Sequence, residues 1–239
     1  MRDRRARAGG VTPLPDAAAL SALREGGVPG SIAERLAVYA ALVLEANRRV
    51  NLTGAKDGAA FAAHIIDALT LSGDARTPLI DVGSGNGVPG IPLAIATGVS
   101  VTLLEPIKKR AAFLERAAAA LGIDACVVPE RAEDAARDPR YRERFATATA
   151  RAVGALTVVA ELTVPFVALG GRAVLQRGSV TEAERAALSD ACLVLGATVA
   201  AERAAGPGRT IVVLEKVGAT NARFPRRNGT PQRRPLCGG

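Results

Sequence analysis

Three closely spaced glycines, Gly83, Gly85 and Gly87, are the residues of this chain best suited to hold a ligand against the backbone. An apolar run, residues 79–82, precedes them and residues 91–96 follow, which is the order of a strand, a tight turn and a helix. Glycine has no Cβ, so such a turn can use positive φ and a ligand can lie against it. The unpaired N–H groups that begin the helix favour a polar or anionic ligand group.

The spacing of these glycines is G-x-G-x-G. It departs from the dinucleotide-binding fingerprint G-x-G-x-x-G, whose third glycine position falls on Val88. A glycine-rich turn that binds nothing is the alternative interpretation, but its glycines would cost backbone entropy on folding and add no side-chain packing. The pattern therefore predicts a binding turn that is not a dinucleotide site.

Two carboxylates accompany the turn. Asp81 lies two residues before Gly83, and Glu105 lies 18 residues after Gly87, at the end of a second predicted strand, residues 101–105. In a doubly wound sheet, a carboxylate at that strand end can accept hydrogen bonds from two ribose hydroxyls. The alternative for Glu105 is an acid that begins the next helix and is favoured by the helix dipole.

Further polar residues could contact a substrate. His64, the only histidine, stands three residues before Asp67 in a predicted helix, so the two side chains can meet on one face. A packing pair and a contact with nucleic acid or the cofactor pocket both stay open for His64, whereas a multi-histidine metal site is excluded. Arg151 follows a predicted strand, residues 145–149, at the sheet edge where ligands bind. Residues 108–110 are basic at a helix start, which indicates either a bound phosphate or a solvated face.

The elements that must position these residues begin with helices and then alternate. Helices are expected at 16–25, at 31–47 with a capping box of Ser31 and Glu34, and at 57–71. Strands are expected at 79–82, 101–105, 125–128, 145–149, 172–176, 198–203 and 210–217. Intervening helices are expected at 106–121, at 154–168, and at 181–195 with a second capping box of Thr181 and Glu184. This alternation predicts a mostly parallel sheet covered by helices on both faces, with the last two strands forming an antiparallel hairpin.

Composition limits the class of protein. With 239 residues and 49% hydrophobic content, the chain can form one large domain with a smaller appendage. No apolar run reaches the ~18–20 residues of a membrane span, and the N-terminus does not resemble a secretory signal. Cys126, Cys192 and Cys237 follow no metal or redox spacing, so we expect free thiols in a reducing, cytoplasmic compartment.

The net charge of +8 is concentrated at the two ends. Residues 1–10 hold four arginines against one aspartate, and residues 218–239 hold five arginines and no acid, which leaves the body neutral. Such termini favour a polyanionic partner. The alternative is that both ends are solvated and disordered.

The glycine turn with Asp81 resembles the first motif of class I S-adenosylmethionine (SAM) methyltransferases. In those enzymes the acid faces the amino acid end of SAM and the glycines, here Gly83, Gly85 and Gly87, lie along it. The resemblance implies a Rossmann-like α/β fold: a doubly wound, mostly parallel sheet with a C-terminal antiparallel hairpin, preceded by a helical cap. We accordingly expect a disordered basic N-terminus (1–15), a helical cap (16–76), a SAM-binding methyltransferase domain (77–217) and a basic C-terminal tail (218–239).

Four motifs make the resemblance closer: residues 47–53 (NRRVNLT), 64–67 (HIID), 81–92 (DVGSGNGVPGIP) and 150–152 (ARA). Together they are similar to the bacterial ribosomal RNA small-subunit methyltransferase G family over residues 31–217, and the basic C-terminus is similar to that of many members. The resemblance implies a SAM-dependent rRNA methyltransferase that modifies a guanine N7 in 16S ribosomal RNA, free or within the small subunit. It places cofactor-binding positions at Gly83, Val88, Ala132, Glu133 and Arg151.

This chemistry needs no general base, because guanine N7 carries a free lone pair and no proton at neutral pH. Arg151 or Arg177 is expected to hold the guanine or a phosphate, although many members have lysine where this chain has Arg177. We expect a flat pH–rate profile between about 6 and 9, no metal, no membrane contact and a monomer. The alternatives are a SAM methyltransferase acting on a small molecule or protein, and a non-catalytic RNA-binding module.

Overall fold

The computed structural model describes residues 13–151 and 154–237, so most of the predicted disordered N-terminus lies outside the described residues. The helices in the described ranges are α1 (Ala17–Glu25), α2 (Gly30–Asn47), α3 (Gly58–Leu69), α4 (Gly90–Thr97), α5 (Lys108–Leu121), α6 (Ala132–Ala135), α7 (Leu156–Thr163), α8 (Glu182–Leu195) and α9 (Thr230–Arg233). The strands are β1 (Leu79–Val82), β2 (Val101–Leu104), β3 (Ala125–Val128), β4 (Phe145–Arg151), β5 (Val167–Arg177), β6 (Ala197–Ala204) and β7 (Thr210–Lys216).

The strands form one sheet in the order β3-β2-β1-β4-β5-β7-β6. The first five are parallel, and β7 lies antiparallel between β5 and β6. This confirms the predicted Rossmann-like α/β class, with its mostly parallel sheet and antiparallel hairpin. Because the carboxyl ends of parallel strands share one edge, the residues that follow β1, β2 and β4 meet there.

Each face of the sheet has its own hydrophobic core. Leu79 points into the core formed with α1–α5, while its neighbour Ile80 points into the core formed with α7 and α8. The alternation follows from the two-residue period of a strand. The helices before β1 thus continue the first core: Leu36 and Phe61 are fully buried in the same cluster as the sheet residues.

The capping box predicted at Ser31 and Glu34 is wrong. Helix α2 begins one residue earlier, after Pro29, and Ser31 lies inside its first turn without capping the backbone. Pro29 is the N-cap of the helix, and it has no N–H that would need a partner at this end. Glu34 instead pairs with Arg24, with its Oε1 3.2 Å from the guanidinium Nη2. The second predicted box, Thr181 with Glu184, is confirmed at the start of α8.

The predicted boundary between helix 154–168 and strand 172–176 is also wrong. Helix α7 ends at Thr163, a short 3₁₀ turn (Val164–Phe166) follows, and β5 already begins at Val167. Pro165 explains the early end of the helix, because it lacks an N–H for the helical ladder. Smaller differences occur where α5 begins at Lys108 and α3 ends at Leu69.

The C-terminal segment, residues 218–237, packs on the body of the protein. Arg226 donates from Nε to Oε1 of Glu161, a fully buried carboxylate of α7, over 2.8 Å. Arg142 donates to the carbonyl oxygens of Thr220 and Phe224 at 2.7 and 2.9 Å. A solvated, disordered C-terminus is therefore excluded for these residues. No helix within residues 13–151 and 154–237 is both long and apolar enough to cross a membrane.

Candidate cofactor and substrate site

The glycine turn lies at the carboxyl end of β1, and its three glycines adopt positive φ: 75° at Gly83, 57° at Gly85 and 100° at Gly87. A Cβ on Gly87 would lie 2.5 Å from the Ile91 side chain, so this glycine is needed for packing. Around Gly85 the nearest atom to such a Cβ is 3.8 Å away, and Gly83 is exposed. The first two glycines therefore leave open backbone surface, which a ligand can contact.

Glu105 lies directly against this turn. Its Oε2 accepts the N–H of Gly85 at 2.9 Å and its Oε1 accepts the N–H of Ile107 at 2.8 Å, with only 3% of the residue exposed. A carboxylate oxygen has two lone pairs, so each oxygen retains capacity for another donor. Ile107, which the sequence analysis did not single out, is 48% exposed and adds apolar surface next to this carboxylate.

Asp81 is buried beneath the turn, with 1% of its surface exposed. Its Oδ2 accepts the N–H of Gly90 at 3.2 Å, and its backbone carbonyl accepts the hydroxyl of Ser84 at 2.8 Å. Burial raises the pKa of Asp81 to about 7, and the hydrogen bond that the carboxylate accepts from Gly90 opposes that rise. Asp81 thus fixes the start of α4 relative to β1.

The helical cap supports the turn from the other side. The hydroxyl of Tyr39, a fully buried residue of α2, donates to the carbonyl oxygen of Asn86 at 2.7 Å. Burial raises the pKa of this tyrosine well above its usual value. The Asn86 side chain donates to the carbonyl oxygen of Leu52 at 3.3 Å, and Asn47 closes the same loop by accepting the N–H groups of Leu52 and Thr53. The Asn-Leu-Thr motif is thereby placed beside the turn.

Arg151 is the last residue of β4 rather than the first residue after it. Its Nη2 lies 3.3 Å from Nδ1 of His64, and its Nη1 lies 3.6 Å from Oδ2 of Asp67. Burial lowers the pKa of His64, and Arg151 lowers it further. His64 and Asp67 are thus brought together through Arg151. Asp67 also accepts Gln176 Nε2 at 2.9 Å and lies 3.6 Å from Nε of Arg209, two partners that the sequence analysis missed.

Arg177 ends β5, one residue after the sheet partner of Arg151. Its Nη2 forms an ion pair with Oε1 of Glu184 in α8 at 2.8 Å. Its Nε and Nη1 are buried and have no hydrogen-bond partner among the described residues. Both atoms have almost no accessible surface, so an acceptor at the sheet edge reaches them only when the Arg177 side chain moves.

Ala132 and Glu133 begin α6 after β3. The buried Glu133 side chain accepts the N–H of Gly229 at 3.0 Å, and the neighbouring Asp134 accepts the side chain of Asn228 at 2.9 Å. The carboxylate of Glu133 is therefore directed to the C-terminal segment, which leaves the backbone of Ala132 and Glu133 as the part that could contact a ligand. Among the residues described, no cluster of three or more His, Cys, Asp or Glu is arranged to bind a metal.

One known protein family matches most of this chain. The family model described as rRNA small subunit methyltransferase G matches residues 32–212. The chain is 38% identical to the Ribosomal RNA small subunit methyltransferase G of Pelotomaculum thermopropionicum, an alignment that covers 83% of this chain and 88% of the relative. It is 40% identical to the protein of the same name from Roseiflexus castenholzii, with 85% and 91% covered.

Solved structures resemble the fold at much lower identity. A branched-chain polyamine synthase mutein from Thermus thermophilus superposes with a TM-score of 0.54 at 15% identity, covering 77% of this chain and 65% of that one. A geranyl diphosphate methyltransferase solved with GPP and sinefungin gives 0.52 at 16% identity, covering 66% and 82%. At these identities the similarity concerns the fold alone.

Proposed function

The chain belongs to the rRNA small subunit methyltransferase G family, and from that premise we propose that it transfers the methyl group of SAM to the N7 of a guanine in 16S ribosomal RNA. The observation that carries this proposal is the contact between the glycine turn and the acid of the neighbouring strand, in which Gly85 N–H and Glu105 Oε2 are 2.9 Å apart. A nucleoside ligand needs this combination of open backbone and carboxylate at the carboxyl edge of the sheet.

The residues at this edge suit SAM. Glu105 would accept the ribose hydroxyls through the lone pairs that Gly85 and Ile107 leave free, and the exposed Ile107 would cover one face of the nucleoside. Asp81 would lie on the amino acid side, where a ligand cation would favour its charged form. Val88 and the backbone of the segment 132–133 would complete the pocket.

When bound, SAM supplies a sulfonium-linked methyl group, so that the N7–methyl bond forms as the methyl–sulfur bond breaks, with a neutral thioether leaving and the positive charge passing to the base. No proton leaves in this transfer, and the chain therefore needs no general base. Arg151, with His64 beside it, would instead orient the guanine.

An arginine that donated hydrogen bonds to both O6 and N7 of the guanine would block the lone pair of N7 that must react. We therefore assign Arg151 or Arg177 to the guanine O6 or to a phosphate. Nε and Nη1 of Arg177 are buried without a hydrogen-bond partner among the described residues, and a shift of this side chain toward the sheet edge would let an acceptor on the RNA satisfy them. The rate would come from alignment of the acceptor with the methyl group.

We further propose that the enzyme acts as a cytoplasmic monomer on the small ribosomal subunit or its RNA. Few large hydrophobic side chains are exposed in the described residues, which supports the monomer: Leu14, Ile107, Leu169, Leu193, Val194 and Val217. Light scattering coupled to gel filtration should give a mass near the 24.5 kDa of one chain.

The decisive experiment is transfer of a tritiated methyl group from SAM to ribosomal RNA from a strain that lacks this protein, followed by mapping of the modified base. We expect one N7-methylated guanine in 16S RNA. Label on a protein or small molecule would favour the second alternative, and RNA binding without transfer would favour the non-catalytic module. Glu105→Gln should reduce transfer, whereas Glu115→Gln, at an exposed position of α5, should leave it unchanged.

A further inference from the structure

A groove runs between the end of α2 and the exposed side of α5. It has a volume of about 470 Å³, and we define it by five of its lining residues, Arg48, Arg49, Val50, Phe113 and Arg116, as the α2–α5 groove. Val50 and Phe113 give it an apolar wall, while the three arginines are exposed at its rim. The groove lies outside the set of residues that we assign to SAM or to the guanine.

The groove is positively charged and its charges are free. Arg48, Arg49 and Arg116 form no ion pair within 4.0 Å in the described part of the chain. Many other arginines of the fold do form ion pairs. Among the residues that line the groove, Glu45 is the one carboxylate. A cleft whose charges are mostly positive, as here with three arginines against one glutamate, and whose walls have a low dielectric constant attracts anions. The ligand that fits is a polyanion.

The loop that forms one wall of the groove also touches the glycine turn. The Asn51 carbonyl accepts Nη2 of Arg110 in α5 at 3.2 Å, and the next residue, Leu52, accepts the side chain of Asn86 in the turn at 3.3 Å. Arg110 and Arg116 are six residues apart on α5, a rise of ~9 Å. A strand lying in the groove therefore ends close to the glycine turn.

The first turn of α5 extends the same surface. Lys108 and Lys109 are exposed there, at the positive end of the helix dipole, where cations are unfavourable. A bound polyanion would offset this repulsion. The basic C-terminal segment is the competing candidate: Arg226 is held by the buried Glu161 and Arg223 stacks on Phe224, whereas Arg227, Arg233 and Arg234 are exposed.

We propose that the α2–α5 groove binds the phosphate backbone of the RNA next to the methylated guanine, an inference that rests on the proposed function. The bound phosphates pair with Arg48, Arg49 and Arg116 and guide the RNA past the Asn-Leu-Thr loop to the glycine turn. The C-terminal arginines contribute less to this binding than the groove does.

The test compares two double variants that remove the same charge: Arg48→Ala with Arg116→Ala in the groove, and Arg223→Ala with Arg227→Ala in the C-terminal segment. Binding of the full-length variants to 16S RNA from the deletion strain is measured across a KCl series, together with SAM affinity and methyl transfer. Each lost phosphate contact lowers the slope of log K against log salt by ~0.7–0.9. We expect the groove variant to lose tenfold or more in RNA affinity and about 1.5 in slope, with KM for RNA raised and SAM affinity unchanged.

The control variant should retain the wild-type slope. The groove proposal alone would be overturned if the wild-type protein transfers methyl groups while the groove variant binds RNA as tightly as the wild type. An equal loss of RNA affinity in both variants would have the same meaning. A groove-dependent salt slope without any methyl transfer would refute the proposed function and leave the groove standing. Absence of RNA binding by the wild-type protein would refute both.

Discussion

At the scale of single residues, Asp81 shows how burial makes a side chain responsive to pH. The folded protein raises the pKa of this carboxyl from its usual 3.8 to about 7, because the group is buried beneath the glycine turn. Between those two values the folded chain keeps a proton that the unfolded chain has lost. The free energy of unfolding of the ligand-free protein should therefore fall as pH rises through that window.

We expect Asp81→Asn to flatten this part of the pH dependence. One pKa unit corresponds to ~1.4 kcal/mol, so the difference between wild type and variant should change by at most ~4 kcal/mol from pH 4 to pH 7. Asparagine keeps an oxygen that can accept the Gly90 N–H, so the turn should stay intact. Urea titrations of both proteins at pH 4, 5, 6 and 7 measure the effect, and an equal pH dependence in the two proteins would contradict it.

A second prediction at the scale of single residues concerns Glu105. Glu105→Gln preserves shape but removes the charge and replaces one acceptor oxygen by an amide that only donates. Hydrogen bonds to a charged group contribute ~1.5–3 kcal/mol, so the Kd for SAM should rise ~10- to 150-fold. Titration calorimetry measures this against Glu115→Gln as the matched control. An unchanged Kd would remove Glu105 from the cofactor site.

The local part of the site could be predicted from sequence, because short spacing determines it. Asp81 and the glycines share one strand–turn–helix unit, and parallel pairing of β1 with β2 brings Glu105 to Gly85. The approach of Gln176 and Arg209 to Asp67 could not be predicted. It depends on how α3 packs across the sheet, and no local pattern in the sequence encodes that distance.

At the scale of elements, α7 and the C-terminal segment are joined by one buried charge pair. Glu161 is fully buried, and Arg226 meets both of its oxygens, with Nε–Oε1 at 2.8 Å and Nη2–Oε2 at 2.5 Å. Arg226→Met would leave the carboxylate buried without its cation. Such a loss costs ~3–5 kcal/mol, so we expect the free energy of unfolding to fall by that amount.

The double variant Glu161→Leu with Arg226→Met should recover most of this stability, because it removes the uncompensated charge together with its partner. Urea unfolding of the two single variants and the double variant gives the coupling energy. Hydrogen exchange should show residues 220–233 losing protection in the Arg226→Met protein. Additive effects of the two substitutions would show that the pair does not hold the segment.

The same element shows why boundaries were harder to predict than elements. Hydrophobic periodicity indicated the strands at 79–82 and 125–128, which the structure confirms. At α7, apolar residues continue through Pro165 into β5, so hydrophobicity alone could not separate the helix from the strand. At Ser31 a local capping signal was present, but Pro29 set the start of the helix instead.

At the scale of the whole molecule, the sequence showed where basic residues are but not which of them are free. Its ends hold the excess charge, yet Arg226 is paired inside the fold, while Arg48, Arg49 and Arg116 of a nearly neutral body face one groove. Charge counted along a chain omits internal ion pairs, which depend on tertiary packing. A partner surface is therefore better predicted from the arginines that remain unpaired.

The helical cap and the sheet should unfold as one cooperative unit. Cap residues such as Phe61 share a hydrophobic cluster with Leu79 of β1, and Tyr39 donates directly to Asn86 in the glycine turn. A cap that detached alone would expose this core and break the buried Tyr39 hydrogen bond. The net loss of such a bond to water is only ~0.5–1.5 kcal/mol, so exposure of the apolar core is the main cost. Separate unfolding is thus disfavoured.

The composition provides a clean probe, because the chain has two tyrosines and no tryptophan. Tyr141→Phe leaves Tyr39 of the cap as the sole tyrosine, and Tyr39→Phe leaves Tyr141 on the other side of the sheet, beside the core of α7 and α8. In each variant we expect tyrosine fluorescence and far-UV circular dichroism to report the same urea midpoint. A Tyr39 signal that changes at lower urea than the dichroism would show that the cap is a separate folding unit. In that case the glycine turn would lose its Tyr39 support before the sheet unfolds, and SAM affinity should decline across the first transition.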